Sequence, residues 1–281
     1  NGRRYQSYRT GAHFIPNDEH EQDRMDLTHH IYMLLTGGNL YFAPISNPRR
    51  VLDLGTGTGI WAIDFADQHP NSFVIGNDLS PIQPSWLPPN LIFEVDDFES
   101  EWAHTGKFDF IHSREIEGMV KDFDRLFEQA FDALNPGGWL EFQSIELARR
   151  CDDDSYHLAA AFDRWRDLVH SAAQGFGKRF DTIHSWPDRM KRTGFTNVRR
   201  EILNLPFSPW PKDPKLKELG RYQQINLLQG MVSYSLFLFT NVLGWSQADV
   251  YALLVDVQAV LRNPAVHFYT RVHFVYGQKP Y

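Results

Sequence analysis

Three glycines within five positions, in the segment LGTGTG, are the residues of this chain best suited to admit a ligand to the backbone. Gly55, Gly57 and Gly59 follow a short apolar run and precede an amphipathic segment. They are therefore predicted to join the carboxyl end of a strand to the start of a helix. Residues without a Cβ atom let a ligand approach closely, and a helix start presents peptide N–H groups. We expect a cofactor crevice at this loop.

The spacing of the glycines bears on the kind of cofactor. The dinucleotide fingerprint is G-x-G-x-x-G, whereas this loop reads G-x-G-x-G and follows Asp53. An acid beside the loop would repel a pyrophosphate, but it can bind an ammonium group directly or through water. The pattern favours a phosphate-free cofactor with a cationic amino-acid end. A nicotinamide-dependent oxidoreductase stays an alternative, because it shares the strand–glycine–helix unit.

Further acids follow the next two predicted strands. Asp78 lies nineteen residues beyond Gly59, where a carboxylate can accept hydrogen bonds from both hydroxyls of a ribose. In the segment VDDFESEW, Asp97 could accept from an adenine amino group while the Phe98 N–H donates to the ring. Each acid alone is explained equally well as a helix cap or a solvated turn. Together, at successive strand ends, they predict one crevice.

The elements that must position these residues indicate an α/β fold. Apolar runs alternate with amphipathic stretches over residues 50–147, which is typical of parallel strands joined by helices. The segments predicted as strands are 50–54, 73–78, 91–95, 108–113, 138–147, 197–207 and 266–278. The first five are expected to be parallel. The segment NPGG at 135–138 is expected to end the helix before the fifth strand.

Residues 206–264 are predicted to form a helical insertion before the last strand, because the interval is far longer than an ordinary connection. Its second helix is expected to start after Ser246 and to bury an apolar stripe. The fifteen residues 231–245 are the most apolar window, but a membrane span needs about 20 apolar residues. This window is expected to be a buried helix or a partner-facing surface. Residues 1–46 are predicted to form an N-terminal helical cap, and residues 47–281 one domain.

The composition is that of a globular chain. The 281 residues are 42% hydrophobic, which is enough for a sizeable core. A net charge of −7 gives no reason to expect direct nucleic-acid or anionic-membrane binding, which calls for a basic face. The single cysteine, Cys151, excludes an internal disulfide. The adjacent pair His29 and His30 lacks metal-ligand spacing, so no metal site is expected.

Three segments carry a resemblance to a known family. They are VLDLGTGTGIWAIDFA, VIGNDLSPIQPSWLPPNLIFEVDDFESEW and ALNPGGWLEF, and the N-terminal stretch adds YRTG and PNDE motifs. The sequence resembles class I S-adenosylmethionine-dependent methyltransferases, and more closely the fungal LaeA-like methyltransferases. The resemblance implies a seven-stranded Rossmann-like sheet with the N-terminal cap over the cofactor site. It implies S-adenosyl-L-methionine as the cofactor.

The resemblance also assigns roles to residues. Asp53 and the three glycines would surround the methionine part of the cofactor, Asp78 would bind the ribose, and Asp97 with Phe98 the adenine. Tyr8 and Arg9 are expected to fold over the site, with Arg9 either a partner of the cofactor carboxylate or part of a surface salt bridge. The residues predicted to bind the cofactor are Tyr8, Arg9, Asp53, Gly55, Thr56, Gly57, Gly59, Asp78, Leu79, Asp97, Phe98 and Ser113.

After the fourth strand, where this fold usually engages the methyl acceptor, the chain reads HSREIEG. His112 is a candidate base near neutral pH, and Glu115 or Glu117 is a candidate for binding a cationic acceptor. The alternatives are a packed histidine and a helix-capping glutamate. A dedicated base is optional for methyl transfer, because holding two reactants together in a dry site supplies much of the acceleration.

Two functions follow from these observations and the resemblance. The first is an active methyltransferase whose acceptor is a protein or a small molecule. The second is a regulatory scaffold that keeps the fold and acts through partners, for which the apolar window 231–245 is a candidate surface. Because the family includes regulators of secondary metabolism and development, the expected partners are velvet-type proteins or another methyltransferase of the family. The expected location is the nucleus and cytoplasm.

Overall fold

The seven predicted strands form a single sheet. In a computed structural model that describes residues 2–9, 11 and 13–281, the strand order is β3-β2-β1-β4-β5-β7-β6. The strands are β1 Arg50–Leu54, β2 Phe73–Asp78, β3 Leu91–Val95, β4 Phe108–Arg114, β5 Leu134–Ile145, β6 Thr196–Pro206 and β7 Tyr269–Gln278. Strands β1 to β5 pair in parallel, whereas β7 is antiparallel to both β5 and β6. The prediction of five parallel strands is confirmed.

Two strands begin three or four residues away from the predicted position, and the other strand ends differ from the prediction by at most two residues. Strand β5 begins at Leu134, which pairs with Phe108, and the register shifts before Trp139 pairs with Phe110. The NPGG segment therefore lies inside the strand as an irregularity and does not separate it from the preceding helix. Strand β7 begins at Tyr269, because a turn in which the Val266 N–H donates to Asn263 O precedes it.

The helices are α1 Glu19–Thr36, α2 Ile60–Gln68, α3 Phe123–Ala133, α4 Ala160–Gly175, α5 Trp186–Thr193, α6 Pro214–Asn241 and α7 Gln247–Arg262. Short 3-10 helices span Asp154–Ala159 and Ile183–Ser185. Helices α6 and α7 occupy the predicted insertion. The Ser246 hydroxyl accepts a hydrogen bond from Asp249 N at 3.1 Å, so the predicted cap of α7 is confirmed.

Strand β1 is buried on both faces, and this fixes the loop that follows it. Val51 packs in one apolar cluster with Trp61 of α2, while Leu52 packs in another with Phe127 of α3. Successive side chains of a strand point to opposite faces, so a strand with apolar residues on both faces suits the middle of a sheet covered on both sides. The glycine loop thus leaves the sheet at its centre, between layers of helices.

The N-terminal cap and the insertion pack against each other through α1 and α6. Helix α1 begins after Asp18, whose side chain accepts from Glu21 N. Within the interface, Arg24 Nη1 donates to Asn226 Oδ1 at 2.9 Å, and the Ser233 hydroxyl donates to Glu21 Oε2. Helices α1 and α6, which are distant in sequence, therefore form one layer over the carboxyl ends of the central strands. We call this layer the roof.

The apolar window at 231–245 is mainly a buried helix. Met231, Leu236, Leu238 and Phe239 are at most 1% exposed and belong to the same apolar cluster as Trp165 of α4. Of the two expectations for this window, the structure therefore supports the buried helix. None of the helices in the described ranges combines the length and the apolar character needed to cross a membrane.

Candidate functional site

A cleft of about 1360 Å³, including the solvent at its mouth, lies between the roof and the carboxyl ends of β1, β2 and β4. Most of the predicted site residues line it. Those at the cleft are Asp53, Gly55, Thr56, Gly57, Asp78, Leu79, Asp97, Phe98, His112 and Glu115. Tyr8, Arg9, Gly59 and Ser113 do not line it. The single crevice expected from the strand ends is thus present.

The backbone of the glycine loop donates its N–H groups within the protein. Gly55 N donates to Asn77 Oδ1 at 3.3 Å, Thr56 N to Asn77 O at 2.8 Å, and Gly57 N to Asp78 Oδ2 at 2.9 Å. Gly55 and Gly57 have φ values of 64° and 60°, which glycine adopts readily. A loop that uses these donors internally is a poor cradle for a pyrophosphate. This use of the donors argues against a nicotinamide-dependent oxidoreductase, whose dinucleotide cofactor contains a pyrophosphate.

Gly59 serves packing and does not contact the cleft. Its N–H donates to Thr56 O, and its φ is 83°. A Cβ atom at this position would lie 2.3 Å from Phe93 Cζ, which is far closer than two carbon atoms can approach. The missing side chain of Gly59 makes room for the β3 phenylalanine, and its contact with the cofactor stays a prediction.

Asp53 and His112 form a buried pair at the base of the cleft. Asp53 is 2% exposed and His112 is fully buried. Asp53 Oδ1 lies 2.7 Å from His112 Nδ1, and Asp53 Oδ2 accepts from the Thr56 hydroxyl at 2.6 Å. Burial lowers the pKa of His112 to about 4, so the ring is neutral at pH 7. Its neutral form donates from Nδ1 to Asp53, and His112 is then both a packed residue and part of the cleft wall.

Asp78 lies at the tip of β2 as predicted. Its Oδ1 accepts from Ser80 N at 2.9 Å and its Oδ2 from Gly57 N. Burial raises the pKa of Asp78 to about 6, against the opposing effect of these hydrogen bonds. The Asn17 side chain of the cap donates to the Ser80 hydroxyl at 3.1 Å. The cap therefore reaches the same strand end that carries the acid.

Asp97 and Phe98 line the cleft beside the glycine loop. A Cβ atom on Gly55 would lie 3.3 Å from Phe98 Cε1, so the phenylalanine ring lies directly against the loop. Arg9 Nε is 3.6 Å from Asp97 Oδ2, and Arg9 Nη2 donates to the Ser100 hydroxyl. Of the two readings of Arg9, the structure supports the salt bridge at the rim.

Tyr8 and Ser113 are placed differently from the prediction. Tyr8 is 51% exposed and lies outside the cleft. Ser113 is fully buried, and its hydroxyl donates to Leu54 O at 2.7 Å. The hydroxyl joins β4 to β1 and is not directed to a cofactor. Neither side chain lines the cleft, and cofactor contact by either residue stays a prediction.

The glutamates after β4 have separate environments. Glu115 has a φ of 60°, and its Oε1 accepts from the Tyr32 hydroxyl and from Ile145 N. Glu117 accepts from the Thr182 N–H and hydroxyl at 2.7 and 2.6 Å. Burial raises the pKa of Glu115, and it raises the pKa of Glu117 to about 7. Only Glu115 lines the cofactor cleft, and neither residue caps the helix that follows, since Asp122 does.

Two arginines of the cleft were not predicted. Arg24 of α1 is paired with Glu21 at 2.6 Å. Arg114 directly follows Ser113 at the end of β4, and its guanidinium lies 4.2 Å from the centre of the Tyr32 ring. In the described residues, Arg114 Nη2 is buried without a hydrogen-bond partner. Arg114 could have been found from the sequence, because it is a charged residue at the end of a central strand that pairs with β1, the strand before the glycine loop.

These features define a class of protein: a Rossmann-like α/β fold with a roofed cleft for a phosphate-free nucleoside cofactor. The charges of the lining fit S-adenosylmethionine. Carboxylates at Asp53, Asp78 and Asp97 suit its ammonium, its sulfonium charge and its hydroxyl groups, and the partnerless Arg114 Nη2 suits its carboxylate. No group of metal-ligating side chains occurs within residues 2–9, 11 and 13–281.

Comparison with known proteins agrees with this class. The methyltransferase-domain family matches residues 27–200. The chain is 38% identical to methyltransferase pytC of Aspergillus terreus over 283 residues, covering 100% of this chain and 87% of that protein. It is 34% identical over 288 residues to the secondary metabolism regulator LAE1 of Cochliobolus heterostrophus, covering 100% and 94% respectively.

A solved structure with a similar fold is phosphoethanolamine N-methyltransferase 2 of Haemonchus contortus, in complex with phosphomonomethylethanolamine and S-adenosylhomocysteine. The TM-score is 0.51 at 20% identity, over 90% of this chain and 53% of that one. This chain thus spans about half the length of that enzyme. The chain belongs to the LaeA-like group of class I S-adenosylmethionine-dependent methyltransferases. Its cofactor is S-adenosylmethionine.

Proposed function

We propose that this chain is a catalytically active methyltransferase that closes its cofactor between the roof and the strand ends. The observation that carries the proposal is the convergence of Asp53, Asp78 and Asp97, each at or beside the end of a different element of the sheet, on one cleft beneath α1. These acids support cofactor binding, which is the first requirement for turnover.

The residues of the cleft divide among the parts of the cofactor. Asp53, Gly55 and Gly57 would hold the methionine part, Asp78 the ribose, and Asp97 with Phe98 the adenine. Arg114 is a candidate for the cofactor carboxylate, since its Nη2 needs an acceptor. When bound, the cofactor supplies an electrophilic methyl group on a sulfonium centre.

The chain's own contribution to the reaction is positioning in a partly apolar cleft. Ile116, Met119 and Leu79 give the lining an apolar component, and excluded water strengthens the electrostatic contacts that remain. His112 is neutral and hydrogen-bonded to Asp53, which makes it a weak base. The arrangement therefore suits approach of a nucleophile by proximity more than proton removal by histidine.

Titration calorimetry with S-adenosylmethionine tests the cofactor site. Asp78→Ala removes the ribose acceptor, and we expect binding at least tenfold weaker than that of wild type, which is about 1.4 kcal/mol. Asp67→Ala, at an exposed position on α2, is the matched control and should bind like wild type. If wild-type protein does not bind the cofactor, the proposal is rejected.

A regulatory role is a second proposal. It is supported by full-length similarity to the regulator LAE1, and it assigns to this chain velvet-type or methyltransferase partners and a location in the nucleus and cytoplasm. Because the 231–245 window is buried in the core, a partner would have to use another surface. Affinity capture of a tagged chain in a fungal host tests the partners, and a fluorescent fusion tests the location. Exclusion from nuclei, or failure to retain either kind of partner, would contradict it.

A further inference from the structure

A second cavity, here called the chamber, adjoins the cofactor cleft. It has a volume of about 700 Å³, including the solvent at its mouth, and lies between α4, α6 and the end of β5. Its apolar wall is aromatic and sulfur-containing, with Phe162, Trp165, Phe207 and Met231. These four side chains are only 1 to 4% exposed, so the wall is part of the protein interior.

The chamber and the cleft share a boundary. Arg24, Glu115 and Tyr234 line both cavities. The Arg24 guanidinium lies 5.8 Å from the centre of the Tyr234 ring, and the two residues belong to α1 and α6. A molecule in the chamber would therefore lie beside the cofactor and under the same roof.

Glu115 is the acid of the chamber with unused accepting capacity. Both hydrogen bonds that it receives fall on Oε1, and Oε2 receives none from the described residues. Glu117 uses both of its oxygens on Thr182 and Ile183. Glu146 is likewise occupied, by Arg150 and by two histidines.

The cation at the boundary is already neutralised. Arg24 Nη2 lies 2.6 Å from Glu21 Oε1, and its Nη1 donates to Asn226. The chamber therefore disfavours a negatively charged ligand, which would lie beside acids and have no unpaired cation to bind. A ligand that donates a hydrogen bond to Glu115 and buries an apolar body against the aromatic wall would satisfy both surfaces.

The geometry points to this chamber as the binding site of the methyl acceptor, and to an acceptor that is a small, mainly apolar molecule with an amine or hydroxyl donor. The inference rests on the proposed methyltransferase function and deepens it. It selects a small molecule over a folded protein, because the lining residues are buried or half-buried and the surface of a folded protein could not reach them.

Ligand-observed NMR in the presence of S-adenosylhomocysteine tests the chamber. The probes are phenyl, hydroxyphenyl and indolyl rings, each carrying an ethylamine, an ethanol or a propionate side chain. We expect amines or alcohols from this set to bind wild type, and propionates to bind at least tenfold more weakly. Tighter binding of the propionates, or no binding by any probe, would overturn the inference.

Substitutions at Gly230 locate the binding. This glycine lines the chamber and not the cleft, and a Cβ atom there would make only ordinary contacts, the nearest at 3.4 Å from Arg24 Cδ. Gly230→Leu should fill the space and weaken probe binding at least tenfold, while Gly230→Ala should change it little. Ala148→Leu, in the segment after β5, fills the same chamber from another element if the first variant does not fold. Unchanged probe affinity in both leucine variants would contradict the assignment.

Two further measurements separate this inference from the proposed function. Calorimetry with S-adenosylhomocysteine should give the same affinity for wild type and Gly230→Leu. If wild type does not bind this compound, the methyltransferase proposal fails; if it binds the compound and no probe, only the chamber fails. Glu115→Gln should weaken amine and alcohol binding but leave ethylbenzene binding unchanged, a difference that a purely structural role of Glu115 would not produce.

Discussion

The imidazole of His112 stacks on the indole of Trp61, with 3.6 Å between ring centroids and 5° between their planes. The stack joins β4 to α2 on the floor of the cofactor cleft. Together with the Asp53 hydrogen bond, it fixes the ring in one orientation. The residue that by type is most suited to proton transfer is thus held as a structural, neutral group.

The first prediction concerns the protonation of His112. Because burial lowers its pKa to about 4, we expect its ring nitrogen signals to stay constant between pH 5.5 and 8, with the proton on Nδ1. Long-range ¹H–¹⁵N correlation spectra measure this, and a His112→Phe variant identifies the signals by their loss. Because the folded-state pKa is depressed, the histidine's contribution to stability is present above about pH 6.5 and is lost as the pH falls towards 4. A titration midpoint near 6.5 would refute the assignment.

The second prediction concerns the ion pair between Glu21 and Arg24 in α1. Both side chains are buried. Arg24→Met removes the nearer of the two cations beside Glu21, whose Oε2 still lies 3.8 Å from Arg3 Nη2, and should lower the free energy of unfolding by about 3 kcal/mol. Chemical denaturation measures the change. The Glu21→Gln/Arg24→Met double variant should be less destabilised than the sum of its single variants.

An exposed ion pair provides the control for that measurement. Arg179 and Asp181 lie 2.6 Å apart with side chains that are 62% and 53% exposed. Arg179→Met should cost less than about 1 kcal/mol. Equal losses at the two sites would show that burial of the α1 pair has no energetic consequence.

The third prediction is a pH dependence that originates at Glu141 of β5. This residue is fully buried and accepts from Phe42 N at 2.8 Å and from Ala43 N at 2.6 Å. Burial raises its pKa to about 7. A carboxyl with a raised folded-state pKa contributes stability at low pH that is lost as the pH rises through 7, with a slope of at most about 1.4 kcal/mol per pH unit.

Thermal unfolding between pH 5 and 8 measures this dependence. The melting temperature of Glu141→Gln should fall less over that range than the melting temperature of wild type, whatever its absolute stability. Parallel curves for the two proteins would contradict the prediction.

The fourth prediction separates backbone strain from steric overlap at Gly59. Gly59→Ala adds a methyl group that overlaps the Phe93 ring at a position where φ is 83°. Gly37→Ala imposes a similar backbone strain at φ 66°, but nothing lies within 4 Å of its Cβ. We expect Gly59→Ala to be destabilised more than Gly37→Ala. Adding Phe93→Ala to the Gly59→Ala variant should remove the overlap and cost less than the sum of the two single substitutions. Denaturant unfolding of the wild type, the three single variants and the double variant measures these differences. Equal losses of stability in Gly59→Ala and Gly37→Ala would contradict a packing role of Gly59.

Much of the central sheet was predictable from local pattern. Strands β1 to β3 match their predicted bounds, because short apolar runs bounded by turn residues are typical of buried parallel strands. The acids at the strand ends were also found, since the carboxyl ends of parallel strands meet at one edge. The sequence could not distinguish a glycine that admits a ligand from one that admits Phe93, because that choice depends on a neighbouring strand.

The arginines were missed for a different reason. On its own, α1 has charged residues on all sides and no apolar stripe that would mark Arg24 as buried. Its partner Asn226 is 202 residues away in sequence, so the burial arises only when the insertion packs on the cap. The direction of the Ser113 hydroxyl was not predictable either, because strand alternation and a hydrogen bond to Leu54 O decide where it lies.

The contact of α1 with α6 also has a consequence for the order in which the protein matures during translation. A nascent chain that has released its glycine loop and first five strands still lacks α6, the helix that covers α1. The carboxyl ends of its strands would stay uncovered until α6, which ends at Asn241, has been synthesised. Premature termination between the end of β6 and the start of α6 should therefore yield a product that has six of the seven strands but no covered site for its two ligands.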